Sequence, residues 1–479
     1  MLKQFVKDSM IYGSSGVLTR AISVLLVPFY TRVFTPNDYG VIDFIGIVGA
    51  VVAAFVPFEI TQAIARFYPD CKEESIARSL TSTAFLFTLG MFSIFLAVAL
   101  AFAVPITQLI AAGSVSPVVF RVAAGGMAAT GLFYFVQNQL RWMLLPKKHA
   151  IVSLVFSVTT LLFTVLFVLG FKAGVVGVFW AQIIGSTVGF LMGFKYGRKS
   201  YELSFDSTRL KEMLSFSAPI IPSSLGILAL GYADRVTITN YLTMTDLGVF
   251  GIGYRVASGV GLLMMGFQSA ITPIVYYRYA EASAPAELAR VFRNFAFVAL
   301  LGATGLSMFG KEILIILTTP AYYGAVTVIP FLVLAAFVSG MHVFAPGLGI
   351  AKKTKHIAVI NIIGALLNVT LNILLVPKLG ILGAATATLV SSCCVFGSFM
   401  MFSQRLFPVP HDFRRLLGGM LVVIILGTAG FSLNGFGLLM SLLMKTIILA
   451  ACSACLVALR IVSTEELRTY LSKLTLRVN

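Results

Sequence analysis

Among the charged side chains inside the long apolar runs of this 479-residue sequence, four are the first candidates for chemistry. Arg20 lies in the first run, and Asp234, Arg235 and Arg255 lie in a hairpin spanning residues 231–279. A charge at the centre of a membrane helix costs about 2.5 to 3.5 kcal/mol, so each should face a water-filled cavity or a partner. The three guanidinium groups are therefore predicted to bind substrate. Snorkelling to the membrane surface, or pairing of Asp234 with a nearby arginine, is the structural alternative.

A second group of polar residues follows Pro57, where a helix kink is expected. Glu59, Gln62 and Arg66 are spaced at i, i+3 and i+7, which places them on one helical face. Gln62 and Arg66 are predicted to contact substrate. Glu59 could be a coupling carboxylate, since a buried carboxyl group can exchange a proton near physiological pH, or a structural partner of Arg66. Asp234 is the other coupling candidate. The coupled ion would be H+ or Na+, and no other cofactor or metal site is predicted.

The elements that must carry these side chains are membrane helices. The sequence is 58% apolar and 11% charged, whereas soluble domains are about 45 to 50% apolar and about 25% charged. Its apolar runs are continuous, and a helix needs about 20 such residues to cross a bilayer. We expect an all-α polytopic membrane protein with about fourteen transmembrane helices, near residues 10–33, 41–65, 80–103, 118–143, 150–170, 175–196, 214–241, 248–276, 292–317, 326–350, 357–376, 381–403, 416–435 and 438–460.

The net charge of +17 reflects membrane topology rather than nucleic-acid binding, because the basic residues form short clusters between the apolar runs. With the N-terminus placed in the cytoplasm, 26 of the 35 Lys and Arg residues fall on the cytoplasmic side. Three fall outside, Arg32, Lys172 and Lys378, and the other six lie within predicted spans or close to their ends. Such a bias sets orientation, so both termini are predicted to be cytoplasmic.

Two internal repeats organise the helices into lobes. Residues 31–41 (TRVFTPNDYGV) match residues 239–249 (TNYLTMTDLGV), and KAGVVG from Lys172 matches KLGILG from Lys378 at nearly the same offset. Six-helix repeats that enter the membrane from the same side are related by a pseudo-twofold axis along the membrane normal. The predicted domains are an N-terminal six-helix lobe (1–205), a C-terminal six-helix lobe (206–408) and an added helix pair with a cytoplasmic tail (409–479).

No constellation of a soluble-type enzyme is present in the sequence. The four histidines are scattered, and neither a glycine-rich phosphate loop nor a nucleophile elbow occurs. Cys452 and Cys455 have CxxC spacing inside a membrane span, where packing is the expected role. Asn361, Asn368 and Asn372 share one face of the eleventh span and are expected to join helices. We therefore predict no catalytic residues and a chain that is not an enzyme.

Three stretches resemble the polysaccharide-exporter branch of the multidrug/oligosaccharidyl-lipid/polysaccharide flippase superfamily. They are LLVPFYTRVFTPNDYGVIDF from Leu25 with the later AIARFY, YADRVTITNYLTMTDLGVFGIGYRVAS from Tyr232, and LNVTLNILLVPKLGILGAATATLVSS from Leu367. The resemblance implies an inner-membrane flippase that moves an undecaprenyl-diphosphate-linked oligosaccharide to the periplasmic leaflet by alternating access. The product would be O-antigen lipopolysaccharide, capsule or exopolysaccharide, and the implied partners are the bilayer, a polysaccharide polymerase and chain-length proteins.

The resemblance also implies a V-shaped pair of lobes with a central cavity lined by spans 1, 2, 7 and 8. Arg20, Arg235 and Arg255 would then hold the diphosphate, because a guanidinium can bind phosphate oxygens bidentately. Two other functions stay open. A cation-coupled multidrug exporter of the same superfamily would favour an acidic, aromatic cavity. A membrane polysaccharide polymerase or ligase would need a sizeable periplasmic loop, and the longest predicted outer connection, residues 104–117, carries no charge.

Overall fold

The chain is almost entirely helical in the computed structural model, which describes residues 26–462 apart from residues 72, 112 and 436. No strand occurs in these described residues, so the all-α class is confirmed. The helices are α1 (Val27–Val33), α2 (Pro36–Phe55), α3 (Ile60–Phe67), α4 (Glu74–Ala101), α5 (Ala103–Ala111), α6 (Pro117–Trp142), α7 (Pro146–Val165), α8 (Gly174–Gly197), α9 (Ser207–Ser217), α10 (Ile221–Tyr241), α11 (Met244–Arg278), α12 (Ala284–Met308), α13 (Gly310–Leu317), α14 (Ile329–Gly340), α15 (Gly347–Ile350), α16 (Thr354–Leu379), α17 (Ile381–Leu406), α18 (Phe413–Ser432) and α19 (Leu438–Ala458).

Ten helices in the described part of the chain are long and apolar enough to cross a membrane, and two bent pairs raise the number to twelve. One bent pair is Ser207–Gly226 with Gly231–Tyr241, so its bend lies within α10. The other joins the short helix Pro320–Thr327 to Ile329–Phe344, which contains α14, at an angle of 53°. The protein is therefore a multi-pass membrane protein. The first predicted span, residues 10–33, lies for the most part outside the described residues, and the count of fourteen stays a prediction.

The kink predicted at Pro57 is a break between two helices. Helix α2 ends at Phe55 and α3 begins at Ile60. Between them, Phe58 and Glu59 have φ angles of 51° and 52°. This left-handed conformation costs a non-glycine residue about 1 to 2 kcal/mol. The break separates α3 from α2 and places Glu59 immediately before the first turn of α3.

Contacts divide the chain into two compact units, Met1–Gly248 and Val249–Asn479. The lobes predicted at residues 1–205 and 206–408, with the added helix pair from residue 409, rest on the sequence repeats and stay a prediction. Each unit has helices packed tightly enough to hold buried polar side chains in place.

In the first unit, α8 packs against both α6 and α7. Two glycines of α8 make this close approach possible. A Cβ atom on Gly185 would lie 2.0 Å from Oγ1 of Thr160, and one on Gly189 would lie 2.7 Å from the ring of Phe133. Small residues at a spacing of four let membrane helices approach closely. The resulting van der Waals contacts stabilise helix association, because the hydrophobic effect does not act between helices in lipid.

The first internal repeat forms two helix starts with the same capping bonds, at α2 and α11. The Asp38 amide donates to Thr35 Oγ1 at 3.2 Å, and the Thr35 amide donates to Asp38 Oδ2 at 3.1 Å. Thr243 and Asp246 make the same two bonds at the same distances. This reciprocal arrangement satisfies amide groups that a helix start leaves unpaired. The repeated sequence therefore encodes a repeated local structure.

Two glycines that are equivalent in the repeat lie against each other's helix start. A Cβ atom on Gly40 would lie 1.8 Å from the carbonyl oxygen of Met244, and one on Gly248 would lie 1.9 Å from that of Pro36. Any side chain at either position would collide with backbone atoms. The start of α2 and the first turns of α11 can meet in this way only through glycine.

In the second unit, α16 packs on α17 and α17 packs on α14. Asn368 Nδ2 donates to Ser391 Oγ at 3.0 Å, which joins α16 to α17, and Asn372 Nδ2 donates to the Asn368 carbonyl at 3.0 Å. Both asparagines are buried, whereas Asn361 is exposed. The helix-joining role predicted for this face is confirmed at Asn368, whereas the hydrogen bonds of Asn372 stay within its own helix.

Candidate functional site

Arg235 lies on α10 in the first unit, where α10 packs against α2. Its Nε atom donates to Oδ2 of Asp43 on α2 at 2.9 Å, and its Nη1 atom donates to the Gly231 carbonyl at 3.2 Å. The guanidinium also lies 5.5 Å from the ring centre of Tyr232, within range of a cation–π interaction. Arg235 was predicted to need a partner inside the membrane, and it has one in Asp43, on a helix that is far away in sequence.

Asp234 lies beside the same guanidinium. Its Oδ1 atom accepts a hydrogen bond from the backbone amide of Arg235 at 2.8 Å and lies 4.0 Å from Arg235 Nη1. Asp234 and Arg235 are each only 5% exposed. Two carboxylates therefore flank one guanidinium, and the group carries one net negative charge when all three are ionised. Electrostatic interactions are stronger here than in water, because the effective dielectric constant is lower.

The polar residues predicted on one face of α3 lie at its surface. Gln62 and Arg66 are exposed, and Glu59 is half-buried. Arg66 Nη1 forms an ion pair with Asp70 Oδ2, in which the two side chains are 57% and 63% exposed. No bond between Glu59 and Arg66 is found among the residues that the structure describes. An exposed pair of this kind contributes little to stability, so the Arg66 guanidinium can exchange Asp70 for another anion.

Arg255 lies on α11 in the second unit and is half-buried. Its carbonyl oxygen accepts a hydrogen bond from Ser258 Oγ at 2.7 Å. The structure thus brings Asp234 and Arg235 together with Asp43. The residue Arg20 lies outside the described residues. Binding or coupling roles stay predictions for the remaining candidates, which are Arg20, Arg255, Gln62, Arg66 and Glu59.

Asp43 is the candidate that sequence reasoning missed. A signal for it was available, because it is a carboxylate inside the predicted second span, residues 41–65. Its partner is 192 positions away. No periodic pattern connects positions so distant, and only the packing of α2 on α10 shows that the two side chains meet.

A second buried ion pair lies in the second unit, between α13 and α19. Lys445 Nζ donates to Glu312 Oε1 at 2.7 Å and to Oε2 at 2.8 Å, and Ser441 Oγ donates to Oε1 at 2.8 Å. The Lys445 and Glu312 side chains are 0% and 6% exposed. Both carboxylate oxygens have donors, so this group has the geometry of a structural link between α13 and α19.

One protein family and one curated relative match a large part of the sequence. Residues 29–326, more than half of the chain, match the family described as polysaccharide biosynthesis protein. Lsg locus putative protein 1 of Haemophilus influenzae is 24% identical over 279 residues, which cover 56% of this chain and 65% of that protein. The match thus spans slightly less than two thirds of the length of this curated relative.

Solved structures show which fold the chain has. Lipid II flippase MurJ in an inward closed conformation matches with a TM-score of 0.69 and 16% identity, covering 93% of this chain and 98% of that one. An inward-facing multidrug resistance MATE family transporter matches with a TM-score of 0.64 and 15% identity, covering 81% and 94%. A MOP superfamily transporter from Pyrococcus furiosus matches with a TM-score of 0.54 and 15% identity, covering 83% and 95%.

Identities of 15% to 16% establish a shared fold and leave the substrate open. The family match and the fold agree with the resemblance found in the sequence motifs. The chain belongs to the polysaccharide biosynthesis protein family and has the fold shared by MurJ and the MATE transporters, which confirms that resemblance.

Proposed function

We propose that this protein is a flippase that carries an undecaprenyl-diphosphate-linked oligosaccharide from the cytoplasmic to the periplasmic leaflet of a bacterial inner membrane. Its product would be used for O-antigen, capsule or exopolysaccharide. Membership of the polysaccharide biosynthesis family and the transporter fold support this proposal. The observation that carries the substrate class is the buried guanidinium of Arg235 in a membrane helix, since this group suits the oxygens of a phosphate.

In this proposal, the arginines of the membrane spans hold the diphosphate while the polyprenyl chain stays in lipid. Arg20, Arg235 and Arg255 supply the cationic donors, and exposed Gln62 and Arg66 contact the head group. The two lobes alternate between inward-open and outward-open states around the bound head group. No bond of the substrate is made or broken, so the protein acts as a transporter rather than an enzyme.

Coupling and orientation belong to the same proposal. Glu59 and Asp234 are the carboxylates that would bind H+ or Na+ during the cycle, because a buried or half-buried carboxylate changes its affinity for a cation when its surroundings change. Both termini would lie in the cytoplasm, as the distribution of Lys and Arg predicts. A polysaccharide polymerase and chain-length proteins would receive the flipped substrate.

The test is complementation of a strain that lacks the gene, with surface polysaccharide and accumulated lipid-linked intermediates both measured. Arg235→Ala should be present in the membrane at normal amounts but lower export at least about tenfold, because the diphosphate loses a charged, hydrogen-bonding partner. Arg20→Ala should act in the same direction. Arg121→Ala is the matched control, since Arg121 is an exposed arginine of α6 in the same unit. Undiminished export by Arg235→Ala would contradict the proposal.

A second candidate function, cation-coupled export of drugs, is favoured by one observation. Two carboxylates, Asp43 and Asp234, lie beside the single guanidinium of Arg235, and an acidic group suits a cationic drug. Susceptibility of the deletion strain to a panel of cationic drugs separates the two functions. If the protein is a drug exporter, the deletion strain should be more susceptible to the drugs and have normal surface polysaccharide. If it is the flippase, the deletion strain should have reduced surface polysaccharide and unchanged susceptibility.

A further inference from the structure

The ion pair between Asp43 and Arg235 is held by one hydrogen bond. Nε of Arg235 donates to Oδ2 of Asp43 at 2.9 Å, while Nη1 is directed to the Gly231 carbonyl at 3.2 Å. Arginine binds a carboxylate most strongly when two parallel N–H groups reach both oxygens. The observed geometry is therefore weaker than the one these two side chains could form.

Among the described residues, the two carboxylates beside Arg235 disfavour the binding of a further anion. With Asp43 and Asp234 ionised, the three side chains already sum to one negative charge. A diphosphate on the guanidinium would add more negative charge within a few ångströms, where repulsion between like charges is large in a medium of low dielectric constant. For Arg235 to hold a diphosphate, one carboxylate must move away from it.

Of the two carboxylates, Asp43 is the one that can leave. Asp234 is fixed by the hydrogen bond from the Arg235 backbone amide and is only 5% exposed. Asp43 lies on a different helix, and its side chain is 16% exposed. In the part of the chain that the structure describes, its hydrogen bond to Arg235 Nε is the one it makes. Breaking that bond needs rotation of a single side chain and no change in the helix.

We propose that Asp43 is an exchangeable counter-ion of Arg235, an inference that rests on the proposed function. The diphosphate of the substrate displaces Asp43 from Arg235 on binding, and Asp43 displaces the diphosphate on release. Asp43 occupies the guanidinium when no substrate is bound, so Arg235 is never left as an unpaired buried charge. It is a positioning residue, because it acts through Arg235.

This exchange also determines which anions bind. Every anion must meet the same free-energy cost of displacing Asp43, and an anion with two phosphates can make more contacts with cationic donors than one with a single phosphate. Polyprenyl monophosphates are present in the same membrane whenever polyprenyl diphosphates are made and consumed. Asp43 therefore sets an affinity threshold that a diphosphate meets more easily than a monophosphate.

The test measures binding of undecaprenyl diphosphate and undecaprenyl monophosphate to the purified full-length protein in lipid nanodiscs. Asp43→Asn should bind the diphosphate and the monophosphate each about tenfold more tightly, since removal of a competing charge is worth on the order of one tenfold step. The ratio of the two affinities should change little, because both anions must displace the same side chain. Export in complemented cells should also fall, because release is no longer assisted.

Three further variants complete the test. Asp43→Ser is a second neutral variant, with a hydroxyl for the Nε donor, and should show the same tightening if Asp43→Asn folds poorly. Asp43→Glu restores the charge and should return binding and export toward wild-type values. Glu74→Gln is the matched control, because Glu74 pairs with Arg78 at the surface of the same unit and should leave both affinities unchanged.

Unchanged or weaker diphosphate binding by both neutral variants would overturn the inference and reduce Asp43 to a structural partner. Arg235→Gln separates this outcome from failure of the proposed function. If the wild-type protein binds the diphosphate and Arg235→Gln does not, the flippase proposal stands even when the counter-ion proposal fails. Absence of diphosphate binding by the wild-type protein would overturn both.

Discussion

The two units each contain a buried ion pair inside the helical core, and the two pairs are built differently. Glu312 in the second unit accepts two hydrogen bonds from Lys445 and one from Ser441, and the lysine side chain is fully buried. Asp43 in the first unit accepts one hydrogen bond from Arg235, and its side chain is 16% exposed. One carboxylate has donors on both oxygens, and the other has a donor on one.

This difference separates a structural pair from an exchangeable one. A buried charge whose partner is removed must either stay desolvated without a partner or become neutral, and both cost free energy, so a fully enclosed pair resists separation. A pair with a single bond and some accessible surface can open at a lower cost and can accept a ligand in exchange. Both ion pairs are buried, and they differ in whether one or both oxygens of the carboxylate accept hydrogen bonds.

The largest effect is expected at the enclosed pair. Either Glu312→Leu or Lys445→Leu leaves the other charge buried without its partner and should lower the free energy of unfolding by about 3 to 5 kcal/mol. The loss is measured as a lower midpoint of thermal unfolding in detergent. The double variant should regain most of this stability, because two apolar side chains of similar volume can fill the space. A double variant less stable than both single variants would show that the pair is not an isolated structural link.

A smaller effect on stability is expected at the exchangeable pair. Asp43→Asn replaces the charged acceptor of one hydrogen bond with a neutral amide oxygen at a partly exposed position and should lower the free energy of unfolding by about 1 kcal/mol. The same thermal unfolding measurement provides the direct comparison with Glu312→Leu. A loss as large as that of the enclosed pair would place Asp43 in the same structural class and remove the basis for exchange.

The smallest effect is expected at a surface pair. Glu74 and Arg78 lie one turn apart, with side chains 74% and 40% exposed, and are joined by an N–O distance of 2.7 Å. Water and salt screen such a pair, so Glu74→Gln should not measurably change the unfolding midpoint. A clear decrease in the unfolding midpoint would mean that this surface pair is not a neutral reference for the two buried pairs.

The helices themselves were largely predictable. The predicted spans 118–143 and 381–403 correspond to Pro117–Trp142 and Ile381–Leu406, because the length of an apolar run and its flanking proline, glycine and charged residues define a membrane helix locally. The break at Pro57 and the repeated capping bonds at Thr35 and Thr243 follow from residues that are close in sequence.

The candidate site was predictable in part. Arg235 and Asp234 could be selected because charges are rare in apolar runs, and the same rule would have selected Asp43. Their partnership could not be predicted. Hydropathy specifies that a side chain lies in a membrane helix, but it does not specify which neighbouring helix that side chain faces.

The amino-acid sequence by itself determined that this protein is a helical membrane protein, where most of its helices begin and end, and which residues carry charge into the apolar interior. Only the tertiary structure decided that Arg235 meets Asp43 and that Lys445 meets Glu312, pairs separated by 192 and 133 positions. The physical reason is that helix formation depends on neighbours within a turn or two of the chain. Pairing of buried charges depends on how rigid helices pack, which is settled by contacts between distant segments.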